Sequence, residues 1–193
     1  MEKIYLGLIL LFFILAFALK NIKTYFEAGR SIKGKSLKLT LSILLSTSIY
    51  LIIALRLTVL QPKWILELNL QGHETIPIIG NILVVIGFIM GILALIVMKN
   101  SWRVGIKYDQ KTKLVTSGIY KISRNPYFLS YNILILGYIF VFPSLILIVF
   151  YVCLAMVFHK MILEEEDYLE TVHGDLYLDY KKKVNRYLTL KQK

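Results

Sequence analysis

Long apolar runs alternate with short polar stretches along the chain, and this pattern predicts membrane-spanning helices. The runs occupy positions 4–19, 39–60, 76–98 and 126–163. About 20 apolar residues cross a bilayer core of roughly 30 Å, so each of the first three runs predicts one span. The fourth run is too long for one helix, and Pro143 near its middle lacks the backbone N–H that a helix interior needs. We therefore predict two short helices joined by a tight turn there, and five spans in all.

The predicted fold is an all-α integral membrane protein: five transmembrane helices with a C-terminal helical hairpin and a cytoplasmic C-terminal segment. Composition agrees, because 57% of the 193 residues are hydrophobic and the mean hydropathy is +0.65, too apolar for an ordinary soluble domain. An alternative for the first run is a removed signal peptide, with Ala16-Phe17-Ala18 as its cleavage site. The weakly charged start and the Lys-rich stretch that follows favour a retained span.

The net charge of +11 is distributed unevenly, in a way that predicts the orientation of the spans. Basic residues are frequent after the first run, sparse after the second, frequent after the third and frequent again in the tail. By the positive-inside rule, the N-terminus lies outside and the C-terminus lies in the cytoplasm. The charge thus reflects topology and anionic lipid headgroups, and we expect no nucleic-acid partner because no soluble basic domain is present.

Two polar stretches, 100–131 and 159–187, hold most of the residues that are capable of chemistry. They flank the predicted hairpin on either side. Because an antiparallel hairpin starts and ends on one membrane face, the two stretches are expected to meet at the cytoplasmic surface. We therefore predict a single site, built from both stretches.

The first stretch predicts the start of a helix that can bind an anion. Residues 116–118 suit a turn, since Gly118 tolerates a positive φ, and Asn125-Pro126 suits an N-cap followed by the first helical residue. A helix N-terminus favours a carboxylate, and Arg124 adds a fixed positive charge. Flat faces for a ring or a sulfonium cation come from three aromatic residues, Tyr120, Tyr127 and Phe128. The alternative is a capped helix with interfacial aromatic residues and no ligand.

The second stretch opens with three adjacent carboxylates, 164–166. On a helix they point about 100° apart, so at least one faces the hairpin partner or the pocket, where it could hold an ammonium group. Positive groups on one wall and a carboxylate on the other suit a zwitterionic amino acid moiety. The alternative is a solvated acidic helix end. His159 lies at the predicted pocket edge, but the chain has three His and no His-Glu-x-x-His spacing, so we predict no metal site.

In "LVTSGIYKISRNPYF" (114–128) and "EEEDYLETVHGDLYLDYKKKV" (164–184), the chain resembles the isoprenylcysteine carboxyl methyltransferase family of integral membrane enzymes. Phospholipid amine methyltransferases are similar in the hairpin and the acidic motif. The resemblance implies a cofactor, S-adenosylmethionine, in a cytoplasmic pocket, with Glu165 holding its amino group. It also implies further cofactor contacts from the loop and the helix start: Thr112, Lys113, Leu114, Val115, Tyr120, Asn125, Pro126, Tyr127 and Phe128.

Two departures from the family pattern concern the methyl acceptor. The family histidine of the Arg-His-Pro motif is Asn125, which cannot act as a base near pH 7. The arginine that engages the substrate carboxylate in eukaryotic members aligns with Met161. We therefore expect a membrane-embedded or lipid-like acceptor, with a carboxylate, amine or thiol as the methylated group. The candidate catalytic residues are Arg124, Asn125, His159 and Glu166, with Tyr131 as a further possible helper.

The resemblance also divides the chain. Residues 1–98 are expected to be a three-helix scaffold, and 99–193 a catalytic region, made of a cofactor loop, 99–125, the hairpin, 126–163, and the cytoplasmic segment, 164–193. Two alternatives stay open. One is an NADPH-dependent membrane reductase, because sterol reductases are similar in the C-terminal region, and the other is a non-catalytic membrane scaffold.

Overall fold

The computed structural model describes residues 2–28, 34, 36–58, 65–68, 74–106 and 113–190. Over these residues the protein is helical, with two 3₁₀ turns, Lys99–Ser101 and Gly118–Lys121, and no β-sheet. Six α-helices follow one another in the chain: α1 Glu2–Ala28, α2 Leu37–Leu57, α3 Thr75–Met98, α4 Pro126–Val141, α5 Leu145–His173 and α6 Asp175–Lys183.

Four of the described helices, α1, α2, α3 and α5, are long and apolar enough to cross a membrane. The protein is therefore an integral membrane protein with four candidate spans in the part of the chain that is described. The remaining predicted span, the fourth in chain order, corresponds to α4, which is apolar but has 16 residues. At 1.5 Å per residue α4 is about 24 Å long, shorter than the roughly 30 Å of a bilayer core.

Helix boundaries follow the hydrophobic pattern closely for α2 and α3 but not for α1 and α5. Helix α1 continues to Ala28, nine residues beyond the predicted end at 19, and its last turns are held by tertiary contacts. Asn21 accepts a hydrogen bond from the indole N–H of Trp102 at 2.7 Å, and Lys20 donates to the carbonyl of Lys99 at 2.7 Å. Helix α5 continues through the acidic run, so all three carboxylates lie within a helix.

The break predicted at Pro143 separates α4 from α5, and Ser144 caps the second helix by accepting from the N–H of Leu147. The two helices then diverge, because α4 packs mainly against α3 and α5 packs mainly against α2. A Cβ added to Gly137 of α4 would come within 2.6 Å of the backbone nitrogen of Val84, so the α3 and α4 backbones touch. Close contact through small residues is typical of membrane helix pairs.

The turn between α4 and α5 is tied to the connection that follows α2. The N–H of Leu68 donates to the carbonyl of Pro143, and the N–H of Leu145 donates to the carbonyl of Leu66, both at 3.0 Å. Next to these two backbone hydrogen bonds, the buried guanidinium of Arg56 pairs with Glu67. A buried charge needs such a partner, so Arg56 and Glu67 fasten the end of the bundle that lies away from the start of α4.

Candidate functional site

A cavity of about 780 Å³ lies between α1, α2, the start of α4 and α5. We call one end of it the polar end, which is lined by Tyr120, Arg124, Asn125 and Glu165. From there the cavity extends between α1 and α2, away from the start of α4. We call this part the apolar arm, which is lined by Gly7, Leu10, Leu11, Leu51, Ala54 and Leu57. The cavity thus joins a charged region to an aliphatic one.

Next to the polar end, Glu166 is 2% exposed and accepts hydrogen bonds from three side chains. Arg124 donates from Nε and Nη2 at 2.9–3.1 Å, and Arg186 donates from Nε and Nη2 at 3.0 Å. Asn125 adds its Nδ2 at 3.0 Å. We call these four residues the Glu166 cluster. A carboxylate has about four lone-pair sites, so the donors occupy the acceptor capacity of Glu166.

The three adjacent carboxylates of α5 have three different environments, as the 100° step of a helix requires. Glu164 is exposed and pairs with Lys38 of α2. Glu165 lines the polar end of the cavity, and Glu166 is buried in its cluster. The carboxylate that faces the cavity is therefore Glu165.

The C-terminal segment lies alongside the loop that precedes α4. The backbone N–H of Arg124 donates to the carbonyl of Asn185 at 3.0 Å, and the N–H of Thr189 donates to the carbonyl of Ile122 at 2.9 Å. Nη1 of Arg124 also donates to the carbonyl of Val184 at 2.7 Å. The same arginine that binds Glu166 therefore anchors the segment after α6 next to the polar end.

Tyr120 is fixed at the polar end by a turn and by a hydrogen bond from α6. Gly118 begins the turn with φ +58°, a conformation that glycine adopts at little cost, as predicted from the sequence. The hydroxyl of Tyr180 donates to the carbonyl of Tyr120 at 2.6 Å. Burial raises the pKa of the Tyr120 phenol, and the negative charge of Glu165 raises that pKa further. The phenol therefore keeps its proton and faces a carboxylate.

An aromatic wall lies beside the polar end, where Tyr127 lines the cavity. Three rings surround Tyr127, with centroids 6.0, 5.9 and 5.0 Å from its own: Phe13, Phe17 and Trp102. Phe128 also lines the cavity, and its ring centroid lies 5.0 Å from that of Phe158 in an edge-to-face contact. These contacts hold the rings in place, so the wall can receive a flat or cationic ligand without rearrangement.

The side chain of Asn125 does not act as the predicted cap. Asn125 occupies the N-cap position of α4 and Pro126 follows it as the first helical residue, but no side-chain capping hydrogen bond forms. Instead, Nδ2 donates to Glu166 and to the carbonyl of Arg186, at 3.0 and 3.3 Å. The amide is turned away from the helix N–H groups because the Glu166 cluster uses its donors.

Three further predicted cofactor contacts are not among the residues that line the cavity. The carbonyl of Lys113 accepts from the hydroxyl of Ser101 at 3.0 Å. Leu114 packs against Tyr177 and Tyr180, and Val115 packs beneath the 3₁₀ turn that carries Tyr120. Thr112 lies outside the described residues. The predicted contacts that line the cavity are Tyr120, Asn125, Pro126, Tyr127, Phe128 and Glu165.

Two of the predicted catalytic residues, Arg124 and Asn125, line the cavity, and the other two do not. Glu166 is enclosed in its cluster. His159 is exposed on α5, with Nδ1 2.6 Å from the hydroxyl oxygen of Tyr187. Among the residues that the structure describes, no group of three His, Cys, Asp or Glu is arranged to hold a metal ion.

The sequence reasoning missed the contribution of α1 and α2, which form the walls of the apolar arm. A signal was present in α2, where Ser42, Ser46, Tyr50 and Ala54 recur every four residues and all line the cavity. It also missed Arg186, which is one of several basic residues in the tail. Nothing in its local sequence distinguishes it from the neighbouring lysines.

Comparison with known proteins gives two findings. The family model described as phospholipid methyltransferase matches residues 75–175, which include all of α3, α4 and α5 and the polar end. The chain is also similar to two proteins of rice, Oryza sativa subsp. indica and japonica, each named a probable protein-S-isoprenylcysteine O-methyltransferase. Each is 26% identical over 163 residues, which cover 83% of this chain and 82% of the relative.

Proposed function

The chain belongs to the phospholipid methyltransferase family, and from this we propose that it transfers a methyl group from S-adenosylmethionine to a membrane-embedded, lipid-like acceptor. The observation that carries the proposal is the shape of the cavity. Its polar end is lined by Glu165, Tyr120 and Asn125, and its other end is an aliphatic arm between α1 and α2. A charged cofactor and an apolar acceptor can therefore meet in one space.

The polar end fits the charges of S-adenosylmethionine. Glu165 would hold the amino group, because it is the carboxylate of α5 that faces the cavity. Tyr127 and Phe128 offer ring faces to a sulfonium or to adenine, and Tyr120 and Asn125 complete the wall. When bound, the cofactor supplies an activated methyl group on a good leaving group. A volume of about 780 Å³ is in the upper part of the range of small-molecule sites, roughly 300–1,000 Å³, which leaves room for part of an acceptor.

We assign a positioning role to the Glu166 cluster. Because Arg124, Asn125 and Arg186 occupy the lone pairs of Glu166, this carboxylate is unsuited to accept a proton from an acceptor. The cluster instead fixes the start of α4 against α5 and the C-terminal segment. Methyl transfer depends mainly on holding donor and acceptor in line and on excluding water, which a rigid wall supports. A carboxylate or thiolate acceptor needs no base, whereas an amine must lose a proton.

We further propose that α4 and α5 form the fourth and fifth spans, with the N-terminus outside and the polar end at the cytoplasmic face. The support is the location of basic side chains at the end of the bundle that carries the polar end. Lys20 reaches the carbonyl of Lys99, and Lys38 pairs with Glu164. Basic residues at this end are what the positive-inside rule requires of a cytoplasmic face.

Ligand-dependent thermal unfolding of the purified protein in detergent tests the proposed function. S-adenosylmethionine and S-adenosylhomocysteine should both raise the unfolding temperature, since a ligand at 100 times its Kd adds about 2.7 kcal/mol to stability. NADPH should have no effect. Stabilisation by NADPH alone would indicate a reductase, and no stabilisation by any of the three would indicate a non-catalytic scaffold.

A further inference from the structure

Three hydroxyl groups lie in the middle of the cavity, between the polar end and the apolar arm. Ser46 and Tyr50 belong to α2, Tyr131 belongs to α4, and all three line the cavity. The rings of Tyr50 and Tyr131 have their centroids 5.9 Å apart, and Phe158 packs against Tyr131 at 5.2 Å. We call Ser46, Tyr50 and Tyr131 the hydroxyl cluster.

Within the hydroxyl cluster, Tyr131 differs from the other two residues in its burial and in the bonding of its hydroxyl. It is 4% exposed, and within the described part of the chain its hydroxyl oxygen has no hydrogen-bond partner. The hydroxyls of Ser46 and Tyr50 on α2 are close enough to interact with that of Tyr131, but neither meets the geometry of a full hydrogen bond with it. A buried hydroxyl without a partner costs free energy, and aliphatic or aromatic residues would line the cavity without that cost. A ligand that supplies the missing partner explains why a tyrosine is present.

We propose that Ser46, Tyr50 and Tyr131 bind the polar head group of the methyl acceptor. They select a head group whose oxygen atoms accept hydrogen bonds. The proposal rests on the proposed methyltransferase function and deepens it. Tyr131 follows Asn125 by six residues of α4, which places it about 9 Å further along the helix at 1.5 Å per residue. A head held there lies next to the cofactor region, and its tail continues into the apolar arm.

The same geometry disfavours an ammonium head. An ammonium group has only donors, and in an apolar cavity it requires a carboxylate as counter-charge. Of the described residues that line the cavity, Glu165 alone carries a carboxylate, and we assign it to the cofactor. A tyrosine or serine hydroxyl can donate to an oxygen of the acceptor, and a carboxylate head would find its counter-charge in Arg103 and Arg124, which line the same cavity. The hydroxyl cluster therefore favours an acceptor whose head group carries oxygen acceptors over one whose head group is an ammonium.

Two probes with the same tail, hexadecanoic acid and hexadecylamine, test this proposal by calorimetric titration in detergent, with and without S-adenosylhomocysteine. The wild-type protein should bind the acid more tightly than the amine. Tyr131→Phe keeps the ring that packs on Phe158 but removes the donor, so it should weaken acid binding about two- to tenfold. Ser46→Ala should act in the same direction, and S-adenosylhomocysteine affinity should stay unchanged in both variants.

Ser48→Ala is the matched control, because Ser48 lies on α2 outside the cavity wall and donates to the carbonyl of Leu44 at 3.0 Å. Tighter binding of the amine, equal acid affinity in the wild type and Tyr131→Phe, or no binding of either probe would overturn the proposal. Failure of the proposed methyltransferase function gives a different result, because the wild type then does not bind S-adenosylhomocysteine. Binding of the acid that depends on Tyr131 would, in that case, still support the binding site for the head group.

Discussion

The two ends of the cavity are built on opposite principles. At the polar end, Arg124 is fixed by several hydrogen bonds, to Glu166 and to the carbonyl of Val184. The apolar arm is lined by aliphatic residues of α1 and α2, which present no fixed donors or acceptors. The difference suits two ligands with different demands: a cofactor that requires one orientation, and a lipid-like acceptor whose tail requires only space.

The largest predicted effect follows from breaking the Glu166 cluster. Glu166→Gln replaces an oxygen with an NH₂ group facing guanidinium donors, and removes the counter-charge of Arg124 and Arg186. Loss of one partner of a buried ion pair costs about 3–5 kcal/mol, so the free energy of unfolding in detergent should fall by that amount. Glu164→Gln is the control, since its pair with Lys38 is exposed and should contribute less than about 1 kcal/mol. Equal losses of unfolding free energy in the two variants would contradict the conclusion that the buried Glu166 cluster stabilises the fold more than an exposed ion pair does.

A smaller effect is expected when the C-terminal segment is released from the cluster. Arg186→Gln leaves Glu166 paired with Arg124, and the Arg186 side chain is 33% exposed. The loss of stability should therefore be about 1–2 kcal/mol, between the values for exposed pairs and for buried charged hydrogen bonds. Lys181→Gln removes an equal charge from an exposed pair with Glu170 and should not change the unfolding temperature measurably. Identical behaviour of both variants would show that the segment is not anchored through Arg186.

The smallest predicted effect is confined to the apolar arm. Ala54→Phe places a ring in the arm and should weaken binding of hexadecanoic acid about tenfold, or about 1.4 kcal/mol, while S-adenosylhomocysteine binds as before. Leu44→Phe adds a ring on the outward face of α2 and should change neither affinity. Calorimetry on both variants measures the two affinities separately. Reduced cofactor affinity in Ala54→Phe would mean that the arm is not a separate region.

The polar end was easier to predict from sequence than the apolar arm, and the reason is chemical. Arg124, Asn125 and the acidic run stand out because charges are costly next to a membrane and need a reason to be there. The break at Pro143 and the turn at Gly118 were predicted from backbone geometry alone. Serine and tyrosine in α2 are compatible with an ordinary membrane helix, so their location on a cavity wall became visible only when α1 and α2 were packed together.

Register explains why the roles of the acidic residues could not be separated by pattern alone. Three consecutive glutamates point in three directions, but the sequence does not say where α5 lies relative to α4. The structure gives each of them a different environment, and only Glu165 faces the cavity. Likewise, α1 and α5 continue beyond their apolar runs because of contacts with distant residues, which hydropathy does not record.

The most direct test of the account is the affinity of S-adenosylhomocysteine for Glu165→Gln, measured by calorimetry beside the wild type and Glu164→Gln. Both variants replace one carboxyl group by an amide at adjacent positions of α5, so any effect of the substitution on α5 itself is shared. We predict that Glu165→Gln binds at least tenfold more weakly, a difference of about 1.4 kcal/mol, while Glu164→Gln binds like the wild type. Equal affinity of all three proteins would contradict the assignment of Glu165 and of the cofactor site at the polar end.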